Sequence, residues 1–319
     1  LATVVPLLAA GAEGGGGSGP VAGAAAATLA GRQVTALAVT DAGSGSDLTA
    51  LDTTVRLGDE LVLTGAKRWI TNAVGADAYL VLARHRPGRH FTSFSLVLVP
   101  ATAPGVRATP ADTPLFAGGG VGHVELAGVR LPRDHLVGAP GRGLAAFARH
   151  LATERLAGAL WGVALCRRAI TATRDRMAAR AYGDGALWDL DPVRATLADC
   201  VVRTRQLDAL CRALEERVAR TWDAAGAALL KAAAADVAER VLTACAHLHG
   251  ADGFAASGLH QLRAEAAVLG TGGGATEVAL GLVADDLDRA LADLDRPGPD
   301  PADRDRADPD RADPAGVPR

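Results

Sequence analysis

Aromatic side chains are scarce: five Phe, four Trp and two Tyr make up 3% of the 319 residues, and Met occurs once. A core built with so few large rings must be packed from small and branched aliphatics, and the abundance of Ala and Gly points to closely packed helices. Neither sign of charge dominates. Thirty-three Lys and Arg stand against 36 Asp and Glu, a formal net charge of −3, which gives no expectation of a nucleic acid or an anionic membrane surface as partner. Cysteine is limited to Cys166, Cys200, Cys211 and Cys245. No two of them have metal-ligand spacing, so they are expected to be reduced, buried thiols of a cytoplasmic protein, with no metal. No run of about 18 apolar residues is free of charge or Gly, so no membrane span is expected. The opening "LATVVPLLAAGAEGGGG" lacks the basic start of a signal peptide. It begins with Leu, and the chain is expected to be a fragment or to have lost its first helices.

What is present is apolar enough, at 49% hydrophobic residues, to bury a sizeable core. The chain changes character along its length. Residues 1–32 read as a short apolar helix, a Gly-rich break at Gly14–Gly19 and an Ala-rich helix ending near Gly31. Residues 33–138 read as strands: "QVTALAVT", "TTVRLGDELVLTGAKRWIT", "AYLVLARH", "FTSFSLVLVP" and "GHVELAGVRLP", with Gly58-Asp59 as a hairpin turn. Their number and spacing predict a small antiparallel barrel or sandwich. Residues 139–295 read as about four long helices, broken near Gly183–Pro192, Thr221–Gly226 and Gly250–Gly258, and so as a four-helix bundle. The Pro-rich, charged stretch 296–319 cannot bury a core and is expected to be disordered. The fold class is therefore α+β.

Three segments could carry chemistry. "AVTDAGSGSD", Ala38–Asp47, follows a strand. Its glycines permit a tight path and its hydroxyls could line a phosphate-bearing ligand. A plain turn would read the same way. "GAKRWITNA", Gly65–Ala73, places a Trp beside a Thr; it reads either as a strand with one buried ring or as an aromatic wall beside a planar ligand. In "HLATERLAGALWGVAL", Phe147, Leu151, Gly158, Trp161 and Leu165 fall on one helical stripe, and Glu154 lies within it. A carboxylate on an apolar face is costly unless paired, and burial raises a carboxyl pKa, which suits a general base. The competing reading is a structural pair with a neighbour such as Arg155.

These segments resemble the acyl-CoA dehydrogenases. "AVTDAGSGSDL" is similar to that family's T-E-P-G-A-G-S-D motif, and "LTGAKRWITNA" to its G-x-K-x-W-I-T-N segment. "GVRLPRDHLVG", "HGADGF" and "GGGATEV" follow in the family's order. The resemblance covers about residues 25 to 290. It implies a β domain and a C-terminal helical bundle that together hold FAD, with the family's N-terminal helical domain mostly absent. It implies that Val39 and Thr40 face the flavin ring, that Gly45 and Ser46 lie near the pyrophosphate, with Ser46 also near the acyl-thioester tail, and that Trp69, Ile70 and Thr71 flank the ring. Thr276 and Glu277 match a loop that approaches FAD. Gly250 matches a loop, and Arg180 stands near an arginine position, that reach a neighbouring subunit's FAD.

Most members place the catalytic Glu in the C-terminal loop, where this chain has Gly273. The isovaleryl- and long-chain-type members place it on the first bundle helix in an E-R-L context, which Glu154 in "TERLAGA" matches, with Arg155 as the adjacent arginine and a substrate contact. The implied reaction is α,β-dehydrogenation of an acyl thioester, carried by coenzyme A or by a carrier protein. Glu154 would take the α-proton, the β-hydrogen would leave as hydride to flavin N5, and an electron-transfer flavoprotein would accept the electrons. A homo- or hetero-oligomer of family members is implied as well. Departures cluster in the inter-subunit motifs. Ala179 stands where the family has Arg in "MAARAYGDG", and Arg263–Ala266 replaces R-D-A-R; in the first motif, apart from these, Asp41-Ala42 is a mild change from Glu-Pro. Two alternatives follow: a degenerate, non-catalytic subunit paired with an active homologue, or a flavin-dependent monooxygenase on the same fold.

Overall fold

The computed structural model describes residues 3–14 and 18–294. The expected disordered tail and the centre of the Gly-rich break lie outside the described residues.

Two apolar helices open the chain, α1 (Val4–Gly14) and α2 (Pro20–Leu29). Pro at the first turn of α2 fits a position whose N–H has no helical partner. Eight strands follow: β1 (Thr35–Ala38), β2 (Thr54–Leu57), β3 (Glu60–Ile70), β4 (Ala78–Arg84), β5 (Phe94–Pro100), β6 (Val106–Pro110), β7 (Gly122–Pro132) and β8 (Leu136–Val137). The chain reverses between β2 and β3 at Gly58-Asp59, as expected.

The sheet runs β6-β7-β3-β2-β4-β5-β8, with β1 beside β4. The expected α+β class holds, and the expected antiparallel barrel or sandwich is corrected on two points. The path is open, ending at β6 and β8, and it is mixed, because β1 pairs with β4 in parallel. A parallel neighbour requires a long crossover, and the segment from Val39 to Asp77 supplies it. The strands differ in pattern for a physical reason. β4 and β5 are apolar and buried almost throughout, because one face packs on the inner core of the sheet and the other on α1, α2 and the start of the next helix. β7 alternates, because its outer face meets solvent.

The helical region begins with α3 (Gly143–Ala179), followed by a two-strand hairpin, β9 (Ala181–Tyr182) and β10 (Gly185–Ala186), and then α4 (Asp191–Thr221) and α5 (Ala224–His249). The breaks fall where the turn residues placed them. Three long helices pack around Ala159, Cys166, Cys200, Cys211, Ala234, Ala238 and Cys245. A Cβ added at Gly162 would stand 3.6 Å from Ala234 Cβ, so small residues set how closely α3 and α5 approach. The four thiols are free and buried, and burial pushes Cys166 and Cys211 each up to about 11.

The expected fourth long helix is in pieces: α6 (Leu259–Ala266), α7 (Val268–Thr271), α8 (Thr276–Asp285) and α9 (Leu287–Leu294). The stretch Leu259–Asp285 is long and apolar enough by composition to cross a membrane. It is interrupted between α7 and α8, where Gly273 and Gly274 take φ of +69° and +95°, values that favour glycine. That interruption forms one wall of the site.

Candidate active site

One cavity of about 480 Å³ lies between the sheet, the first half of α3 and the α7–α8 turn. Its size falls within the range of small-molecule sites. Val39, Thr40, Gly45, Ser46, Trp69, Ile70, Thr71, Glu154 and Arg155 all line it. Thr3, Phe147 and Gly272–Gly274 line it too.

The front wall is the loop after β1, and a buried ion pair fixes its shape. Lys67 is fully buried in β3. Its Nζ lies 2.7 Å from Asp41 Oδ1 and donates to Val39 O at 2.7 Å. Asp41 in turn accepts from the N–H groups of Asp52 and Thr53, both at 2.7 Å, and from Thr53 Oγ1 at 2.8 Å. Every polar atom of this carboxylate is therefore engaged, which is the condition under which a buried charge is tolerated. Burial holds the Lys67 ammonium down to about 8, against the opposing pull of Asp41. Thr40 O accepts from Arg68 N at 2.9 Å, tying the loop to β3 a second time. A Cβ added at Gly45 would meet nothing within 4 Å, so the backbone there is open to a ligand. Asp47 then caps a one-turn helix, Leu48–Ala50, accepting from Thr49 N.

The end of β3 is irregular where the site needs it. Two residues, Arg68 and Trp69, stand against one, His123, on β7. The bulge places Trp69 at φ +57°, unusual for a bulky residue. Trp69 N donates to His123 Nδ1 at 3.2 Å, and the two rings meet edge-on at 5.5 Å. Trp69 is 58% exposed. Of the two readings of this segment, the structure therefore excludes a strand with a buried ring: Trp69 forms an open wall, with Thr71 beside it.

Glu154 projects from α3 and is half-buried. Its Oε2 accepts from Thr3 Oγ1 at 2.8 Å. The structural pair with Arg155, the competing reading of this carboxylate, is not formed. Arg155, 8% exposed, directs Nε and Nη2 to Gly273 O at 3.2 and 3.0 Å. Desolvation lowers the Arg155 pKa, partly offset by the charge of Glu154. The stripe itself is displaced from its expected line. Phe147 and Leu165 are buried, but Trp161 is 45% exposed, and the seam of α3 runs instead through Ala152, Leu156, Ala159 and Gly162. A smaller chamber of about 180 Å³ continues behind Glu154, past Gly158 and Trp161 to Lys231. Lys231 is 4% exposed, donates to Leu269 O at 2.7 Å and is held down to about 8 by burial and by Arg155, with Glu277 opposing.

Four of the expected site residues lie outside this cavity's lining, and two of them, Arg180 and Gly250, were expected at a neighbouring subunit's FAD. Arg180 and Gly250 come together elsewhere, at the ends of α3 and α5, where Asp252 pairs with Arg176 and lies 3.9 Å from Arg180. Thr276 and Glu277 sit between the lining residues Gly274 and Val278 without lining it themselves. Thr276 Oγ1 is turned to Gly270 O. Sequence reasoning missed Lys67, Lys231 and Thr3. For Lys67 a signal existed: Leu61, Leu63, Gly65 and Lys67 share one strand parity, and that parity faces the core.

Known families match this chain over most of its length. The family model "Acyl-CoA dehydrogenase, middle domain" matches residues 36–129, and "Acyl-CoA dehydrogenase, C-terminal domain" matches residues 141–287. The acyl-[acyl-carrier-protein] dehydrogenase MbtN of Mycobacterium bovis is 30% identical over 71% of this chain and 58% of its own length. The mitochondrial short-chain specific acyl-CoA dehydrogenase of Bos taurus is 28% identical over 70% of this chain and 55% of its own length. The chain thus spans less than two thirds of these curated relatives. A Mycobacterium smegmatis crystal structure assigned to the acyl-CoA dehydrogenases superposes with a TM-score of 0.83 at 28% identity, covering 90% of this chain and 75% of that one.

Proposed function

Because the chain belongs to the acyl-CoA dehydrogenase family, we propose that it dehydrogenates an acyl thioester with FAD, using Glu154 as the base. The observation that carries this reading is the convergence, on one cavity, of Glu154 with Thr40, Ser46, Trp69 and Thr71, which come from three distant segments. Nothing else in the sequence requires those five side chains to share a space.

The residues present fit the cofactor. The cavity joins an exposed aromatic wall, two threonine hydroxyls and an open Gly-Ser backbone. Val39, Thr40, Trp69, Ile70 and Thr71 would hold the ring system, and Gly45 and Ser46 the phosphate side. When bound, FAD supplies the two-electron acceptor for the β-hydrogen, which leaves with its bonding pair. The chain's own part is proton transfer and positioning. Thr3 fixes Oε2 of Glu154. Oε1 faces Gly273, where an added Cβ would stand 3.9 Å away, so one carboxylate oxygen is left toward the cavity to receive the α-proton. Arg155, one residue on, is committed to Gly273 O. It therefore acts on the wall of the site and leaves Glu154 without a fixed cation. An electron-transfer flavoprotein as acceptor, assembly with a like chain and a cytoplasmic setting complete the proposal.

The test is the visible spectrum of the purified chain, supplied with FAD, before and after addition of a mixture of acyl thioesters. A yellow protein that bleaches is the expected result. Glu154→Gln should keep the colour and slow the bleaching by roughly 10²–10⁴-fold, the usual contribution of a positioned base. A chain that cannot be reconstituted with FAD overturns the reading in favour of a non-catalytic partner subunit. Bleaching of Glu154→Gln at the wild-type rate removes Glu154 as the base.

A further inference from the structure

A second groove, of about 680 Å³, lies on the sheet between β2 and the β4–β5 connection. Its lining includes Arg56, Arg84, His85 and Arg86, and no acidic side chain. The end of β4 and the connection after it read Arg84-His85-Arg86-Pro87-Gly88-Arg89-His90, a concentrated positive stretch in a chain whose net charge is −3. Arg56 and Arg86 are both exposed. His85 feels the field: burial lowers its pKa, and Arg86 lowers it further.

This basic loop is fastened to the mouth of the active-site cavity. Arg84 donates to Thr49 O at 3.2 Å and to Leu51 O at 3.1 and 2.6 Å. Arg89 pairs with Asp47 at 2.8 Å. Ser46 and Leu48, interleaved with these residues, line the cavity. Leu51 lies three positions along from Leu48, at most about 11 Å of chain. One short segment therefore lines the cavity and is held by Arg84, which lines the cationic groove.

We propose that this groove docks the acidic surface of an acyl carrier protein, whose flexible arm then carries the acyl thioester past Ser46 toward Glu154. The proposal rests on the dehydrogenase reading above and names the carrier for that same site. The charge is spread over two elements, β2 and the β4–β5 connection, which suits several carboxylates on a protein face better than one phosphate group. The groove has no Phe, Trp or Tyr in its lining, so it lacks the stacking platforms of a nucleic-acid site. Complementary charge at such a surface raises the rate of encounter and makes it sensitive to salt.

The test is direct binding of a fluorescently labelled holo-acyl carrier protein to the full chain, at low and at raised salt, with coenzyme A as competitor. Wild type should bind at low salt and weaken as salt rises. The double variant Arg56→Glu/Arg86→Glu should bind about tenfold or more weakly and lose most of the salt dependence. Its flavin bleaching by acyl-CoA should stay at the wild-type rate. No binding by wild type, or equal binding by the double variant, overturns the proposal. So does an equal loss of affinity for free coenzyme A, which would make the groove a nucleotide-phosphate site. Binding is read without turnover, so a chain that docks the carrier but never bleaches refutes the dehydrogenase reading and leaves the docking surface standing.

Discussion

The front and back walls of the cavity are both fastened by a buried cation, and the two fastenings differ. At the front, Lys67 meets a carboxylate that also accepts three hydrogen bonds from its own loop. At the back, Arg155 and Lys231 reach only backbone carbonyls of the α7–α8 region, Gly273 O and Leu269 O. A charge facing a charge fixes a loop in one arrangement. A charge facing a carbonyl dipole leaves more of its desolvation uncompensated. The front wall is built as a rigid mould, while the back wall is a segment pinned at two points, many of whose apolar side chains, such as Val268, Val278 and Leu280, remain exposed.

The sharpest way to break this contrast is Lys67→Met. It leaves Asp41 buried without its cation and should cost about 3–5 kcal/mol of stability, the usual penalty for orphaning one member of a buried pair. Urea unfolding measures it; a loss below 1 kcal/mol would mean the front wall is not held by this pair.

Next in size is a pH effect. Lys67 and Lys231 are each held down to about 8 from 10.5. A lysine whose folded pKa is lowered gives up its proton more readily in the folded protein than in the unfolded chain. Stability should therefore rise as pH climbs from about 8 to about 10.5; below that window the destabilisation by the charged lysines is complete and does not vary with pH. The neutral amine still donates, so the loop contacts survive. Lys231→Met removes the back-wall share, and the rise left in that variant belongs to Lys67. A flat profile between pH 8 and 10.5 in wild type contradicts both assignments.

The smallest effect is expected from Gly273→Ala. The residue sits at φ +69° beside Leu151, Arg155 and Glu154, and a left-handed alanine costs about 1–2 kcal/mol. The strain should be relieved by opening the pinned segment. Amide exchange across 268–274 should accelerate while exchange across 38–53 stays unchanged, and equal acceleration of both would erase the distinction between the walls.

Much of this was legible in the sequence, and the exceptions share a cause. Periodicity and turn residues located α1 to α5 and strands β1 to β5 and β7, because those signals are local, while the short β6, β8 and β9–β10 hairpin went unread. Motif order brought Thr40, Trp69 and Glu154 to one pocket. The sheet's openness and its parallel β1–β4 pair escaped, since pairing partners far apart in sequence leave no local trace. The same holds for the stripe on α3: its spacing was read from the positions around Glu154, but which residues face the core was decided by α4 and α5. Arg180 and Gly250, expected to reach a neighbouring subunit's FAD, stand near Asp252 at the far ends of their helices, away from this cavity. Thr3 carried no signal at all, because its partner lies 151 residues away.

That separation has a kinetic meaning. The bond from Thr3 to Glu154 and those from Arg155 to Gly273, 118 residues apart, close some of the longest loops in the molecule, whereas the pair that moulds the front wall joins positions 41 and 67. Long loops form late, because their closure entropy must be overcome before any contact rewards it. On a ribosome the front wall can take shape while the bundle is still being synthesised, and the base acquires its surroundings only when the last helices arrive. The order of assembly thus runs from the mould to the catalyst, and a chain released early carries the one without the other.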